Sequence, residues 1–145
     1  MAAHSPLLRA FLPSFLLATV PWTEAFDCWD DGKNSEDYHL YFDEWWQRDV
    51  TSMVMRDRNS PSIVMWSIGN EIPMRRSPKG IALSATLADF VRSLDPIEGN
   101  GRAVTSAYPG AMEDTLTDQF LAPLDVAGCE SAFVGLTRAA LSCPP

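Results

Sequence analysis

The chain has 145 residues, 46% apolar and 21% charged, enough for one globular domain with its own core, so a largely disordered protein is not expected. Eleven Lys and Arg against 19 Asp and Glu leave a net charge of −8, which argues against a nucleic-acid partner, because phosphate backbones are held by clustered cations; a neutral or uncharged polar substrate fits better. Cys28, Cys129 and Cys143 are odd in number and far apart, and His4 and His39 are the only imidazoles, so neither a disulfide framework nor a metal site is expected.

Residues 1–23 open with Arg9 ahead of an apolar stretch, Ala10 to Val20, and Thr23-Glu24-Ala25 could serve as a small-residue cleavage site, the outline of a secretory signal. Pro13 and Ser14 interrupt that stretch, so a buried or misread barrel segment is the alternative, and the compartment, cytoplasmic or secreted, stays open. The stretch is too short to cross a membrane. Glu24 to Trp29 reads as a first strand. Asp27 to Gly32 has a faint calcium-loop outline, but Trp29 stands where an oxygen ligand is needed and no Glu closes the loop, so the match is rejected.

From Ser35 to Asn59, Tyr38, Phe42, Trp45, Trp46, Val50, Met53 and Val54 recur at three- and four-residue steps, predicting an amphipathic helix. Ser35 can cap it, Arg56 and Arg58 suit its carbonyl end, and Pro61 forbids continuation. Ser62 to Ile68 is almost continuously apolar, as in a parallel strand covered on both faces, and ends at Gly69. Beyond a loop bracketed by Pro73 and Pro78, Leu83, Leu87, Phe90, Val91 and Leu94 form a second helical stripe that stops at Asp95-Pro96. Arg102 to Tyr108 is the next strand candidate, Glu113 to Leu121 a weaker helix and Leu124 to Gly128 a short strand. Alternating strands and helices mean successive crossovers and a parallel sheet of α/β class. A complete eight-stranded α/β barrel takes about 250 residues, so about four strands would be half of one, with open edges and poor prospects for independent stability.

In such a sheet the functional groups lie at the carboxyl ends of the strands, where Asn70 and Glu71 stand. Glycosidic bond cleavage needs a proton donor for the leaving oxygen and, in retaining enzymes, a second carboxylate about 5–5.5 Å away. Glu71 can be one of the two, and the Asn70 amide can bond a sugar hydroxyl. The structural alternative is a polar strand end capped by Asn. The aromatic residues, Trp66 among them, can stack on sugars or simply fill a core.

Glu24-Ala25-Phe26-Asp27-Cys28-Trp29, Asp43-Glu44-Trp45-Trp46 and the run from Arg56 through Pro61 to Gly69-Asn70-Glu71 closely resemble glycoside hydrolase family 2, most like its β-galactosidases. The resemblance implies a (β/α)8 barrel of which residues 24–128 supply roughly strands 3 to 6. It also implies Glu71 as general acid/base, Asn70 as a sugar contact, a β-galactoside or related carbohydrate as substrate, and no required metal or organic cofactor; Trp66 is taken beside Asn70 as a further candidate sugar contact. Gly69-Asn70-Glu71-Ile72 looks more like the galactosidase branch than the glucuronidase-like one. Residues 1–23 and 129–145 fall outside the match, and the strand bearing the nucleophile is absent from it. Two readings follow: a β-galactosidase-type hydrolase carrying the acid/base half of the site, and a catalytically incomplete remnant with at most weak carbohydrate binding. A third, another barrel glycosidase with the same Asn-Glu strand end, fits the run before Pro61 less well.

Overall fold

The computed structural model describes residues 22–96, 101–109, 115–129 and 132–134. Strand β1 (Trp22–Glu24) is followed by a 3-10 turn (Tyr38–Leu40), helix α1 (Phe42–Asp57), β2 (Met65–Asn70), a second 3-10 turn (Pro73–Arg76) and α2 (Pro78–Leu94). Then come β3 (Ala103–Tyr108), α3 (Thr115–Leu121), β4 (Val126–Cys129) and β5 (Ala132–Val134). The strands lie in sequence order in one sheet; β1 to β4 are parallel and β5 is antiparallel to β4. Each parallel step needs a crossover, supplied by α1, α2 and α3, so the carboxyl ends of β1 to β4 share one rim. This is the expected section of an α/β barrel. No helix among the described residues is long and apolar enough to cross a membrane.

Several boundaries move from their sequence expectations. The first strand is Trp22–Glu24 rather than Glu24 to Trp29, so two residues of the signal-like segment 1–23 belong to the sheet; residues 1–21 lie outside the described residues. Ladder bonds continue only as far as Phe26, whose carbonyl accepts from Asn70 N–H at 2.8 Å. Past it the chain turns inward, because Trp29 is fully buried and donates its indole N–H to the Ile68 carbonyl at 2.9 Å. The long helix predicted from Ser35 to Asn59 is divided: Asp37 caps the 3-10 turn by accepting from His39 N–H, and α1 begins at Phe42. A turn closed by Ile63 N–H on the Ser60 carbonyl delays β2 to Met65. In the tail expected not to match, 129–145, residues 132–134 pair with β4, and 135–145 lie outside the described residues.

The apolar stripes of the helices meet the sheet. Phe42, Val50 and Val54 of α1, Leu87, Ala88 and Val91 of α2, and Phe120 of α3 form one core with Trp66, Ile68, Val104 and Ala127. Strand alternation then turns Ser67 and its register partners Glu24 and Thr105 to the opposite, barrel-inner face. Trp29 joins α1 to α3 through Phe42 and Phe120, with ring centroids 6.4 and 5.8 Å apart.

At the amino ends of the strands, away from the Asn70–Glu71 rim, Arg102 ties the fold together. Its guanidinium pairs with Asp95 at 2.7 Å and donates to the carbonyls of Ile63 and Arg58, each at 2.7 Å. Asp95 also accepts the Trp66 indole N–H at 2.9 Å.

Candidate active site

Two features aim the residues at the end of β2. Ser67 pairs with Thr105 and Asn70 with Ala107, so three steps along β2 meet two along β3, a bulge that bends the strand and redirects its end. Glu71, the next residue, has φ 48°, the sole non-glycine among the described residues with positive φ. Such a conformation costs about 1–3 kcal/mol and persists only where the surroundings impose it. Here the Glu71 N–H donates to the Ala107 carbonyl at 2.9 Å. Behind the bulge the Gly69 carbonyl accepts the Ser106 hydroxyl at 2.7 Å. A Cβ on Gly69 would lie 2.5 Å from Ile72 Cδ1 and 3.1 Å from Trp29 Nε1, so only glycine fits there unless the buried Ile72 side chain shifts.

The Glu71 carboxylate is about a third exposed, with Lys33 Nζ 4.0 Å from its Oε2. Lys33 comes from the loop after β1. Its ammonium donates to Asp27 Oδ1 at 2.7 Å and to the Asn70 carbonyl at 3.0 Å, while the Asn70 side-chain amide donates to the same Asp27 oxygen at 2.9 Å. The Lys33 and Asn70 hydrogen bonds hold the Asp27 carboxyl below its ordinary value. Glu24, ending β1, accepts the Ser67 hydroxyl at 2.8 Å. Desolvation at the strand end pushes the Glu24 carboxyl up, and the Ser67 bond offsets part of that rise.

The β1 loop is wound around Asp37. One carboxylate oxygen accepts the backbone N–H groups of Lys33 and Asn34, each at 2.8 Å; the other meets His39 Nδ1 at 2.5 Å and the Cys28 thiol at 3.2 Å. The same loop leaves no room at Gly32, where a Cβ would stand 2.3 Å from His39 Nδ1. Burial and the neighbouring Asp37 push the Cys28 thiol up, so it is a poor nucleophile. Among the described residues no group of three or more His, Cys, Asp and Glu could hold a metal ion.

Asn70 and Glu71 therefore stand together on the rim formed by the carboxyl ends of the strands. Trp66, expected as a sugar contact, does not join them. It is fully buried, its N–H is spent on Asp95 and the Arg102 guanidinium lies 5.7 Å from its ring, so it offers no surface to a ligand and is a core residue. Lys33 and Asp27 were not among the expected site residues. Their acid-to-base spacing after β1 is visible in the sequence, but the contact with a strand end 37 residues away is not.

Residues 30–121 match the TIM barrel domain of the glycosyl hydrolases family 2. Among curated proteins, the β-galactosidase BoGH2A of Bacteroides ovatus is 55% identical over 49 residues, 34% of this chain and 6% of that protein. A Formosa agariphila protein, provisionally named a β-glucuronidase, is 46% identical over 74 residues, 50% of this chain and 6% of its own length. Among solved structures, a glycosyl hydrolase family 2 member from Bacteroides cellulosilyticus is 44% identical with a TM-score of 0.65, the match covering 72% of this chain and 13% of that one. A β-glycosidase from Bacteroides vulgatus is 34% identical with a TM-score of 0.53, over 73% of this chain and 14% of that one. The chain spans a small part of the length of the relatives it matches.

Proposed function

The chain belongs to glycosyl hydrolase family 2 through its TIM barrel domain, and on that premise we propose that it carries the acid/base half of a retaining β-galactosidase-type site. Glu71 protonates the leaving oxygen of a β-galactoside, then as a carboxylate takes the proton of the water that attacks the glycosyl-enzyme intermediate. Asn70 bonds a sugar hydroxyl next to the scissile bond. The observation that carries this reading is the placement of Glu71 at the carboxyl end of β2, in a left-handed conformation imposed by the β3 edge and with its carboxylate reaching the surface.

A retaining mechanism needs a second carboxylate as nucleophile. Nearby, Glu24 takes the Ser67 hydroxyl on Oε2 and Asp27 takes both Lys33 and Asn70 on Oδ1, contacts that tie each carboxylate to the rim, and we assign neither as that nucleophile. We therefore expect the 145-residue chain alone to show no turnover of an aryl β-galactoside. Hydrolysis by the chain that disappears in Glu71→Gln would overturn the half-site reading. The acid/base role itself is tested by grafting residues 22–128 into a family 2 β-galactosidase and making Glu71→Ala there. Loss of kcat/KM on alkyl galactosides with kcat/KM retained on dinitrophenyl galactoside, whose leaving group needs no proton, is expected; equal loss of kcat/KM on both would refute it.

A further inference from the structure

We propose that Lys33 is a positioning residue for Glu71, a bolt that runs from the β1 loop to the end of β2 and holds the carboxylate in its left-handed, outward-aimed conformation. The inference rests on the reading of Glu71 as acid/base. Three observations carry it. The Lys33 side chain is only about a quarter exposed and bridges two elements, its Nζ donating to Asp27 Oδ1 at 2.7 Å and to the Asn70 carbonyl at 3.0 Å. That carbonyl belongs to the peptide unit that ends in the Glu71 N–H, so the unit is gripped from both sides: by Lys33 at its oxygen and by the Ala107 carbonyl at its nitrogen. Finally, Lys33 is itself fixed, because its backbone N–H and that of Asn34 both donate to Asp37 at 2.8 Å, inside a loop whose Gly32 has no space for a side chain.

The physical consequence is a division of labour. The bulge and the bond to Ala107 supply the left-handed turn at Glu71, which a non-glycine residue adopts only under constraint. A hydrogen bond from a charged donor to the preceding carbonyl is stronger than a neutral one and opposes rotation of that peptide back toward ordinary strand geometry. The ammonium also lies 4.0 Å from Glu71 Oε2, close enough to attract the carboxylate without a direct hydrogen bond.

The test is residue-resolved hydrogen exchange and carboxylate carbon NMR on the full chain, comparing wild type with Lys33→Met, Lys33→Gln and Lys33→Arg. In Lys33→Met the Glu71 amide should exchange about tenfold faster and the Glu71 carboxylate carbon resonance should move, while the amides of Val54 and Val104 keep their rates. Lys33→Gln, which keeps an uncharged amide donor, should fall between, and Lys33→Arg should restore most of the protection. Unchanged exchange at Glu71, equal acceleration at Val54 and Val104, or no protection of Glu71 in the wild-type chain each overturns the proposal. Exchange is read without turnover, so failure of Glu71 in the hydrolysis experiment would leave this result standing, and the reverse.

Discussion

Gly80→Ala should destabilise the chain, against the usual sign of that change. Gly80 is the third residue of α2, and replacing Gly by Ala in a helix normally gains about 1 kcal/mol. Here an added Cβ would stand 2.0 Å from the Met74 carbonyl oxygen and 2.7 Å from its carbon. These are backbone atoms, so the contact cannot be relieved by rotating a side chain. The Met74 carbonyl also accepts the Ser77 backbone N–H and the Ser77 hydroxyl, both at 2.8 Å, and Ser77 in turn accepts the Gly80 N–H at 3.0 Å. Overpacking of this kind costs about 1–3 kcal/mol, and loosening the cap about 1 kcal/mol more. Set against the helix gain, the net is a loss of about 1–3 kcal/mol. Urea denaturation followed by circular dichroism would read it as a lower midpoint at unchanged slope. The disturbance should also reach the site, since the turn that holds Met74 begins two residues after Glu71 and Ile72 packs against Gly69. A Gly80→Ala chain as stable as wild type, or more so, would refute the reasoning, because it would show that the turn and the helix are not in contact.

Two further outcomes follow from the same structure. Arg102→Met should lower stability by about 3–5 kcal/mol in the same denaturation assay, because it leaves Asp95 buried without its cation and strips the carbonyls of Ile63 and Arg58 of a donor; a loss under about 1 kcal/mol would mean the cluster is not desolvated. For Glu24 the folded carboxyl lies above its ordinary 4.5, so the folded state holds the proton more tightly and stability falls as pH rises from 4.5 through the folded value. Glu24→Gln removes that titration, so the mutant should gain on wild type as the solution goes from about pH 4 to about pH 7, and a difference that is flat with pH would contradict the assignment to burial.

The position of Asn70 and Glu71 at a strand end is legible in one dimension because strand ends are marked by abrupt loss of apolar residues, and Gly69-Asn70-Glu71 follows such a run directly. Trp66 illustrates the opposite case. Its composition suits both stacking on a sugar and filling a core, and the choice was made by a partner, Asp95, that lies 29 residues away. Helix α1 shows why boundaries shift: the apolar stripe from Tyr38 onward is continuous, but the Asp37 carboxylate captures nearby N–H groups and divides it.

By itself the sequence determined the α/β class, the order of strands and helices, and the strand end where Asn70 and Glu71 stand, because periodicity and breakers record which residues face a core and where an element stops. Only the tertiary structure decided the bulge in β2, the left-handed Glu71, the burial of Trp66 and the Lys33 bridge. Each of these depends on ladder register or on atoms from distant loops meeting within hydrogen-bond range, and the local pattern of side chains carries no record of such distances.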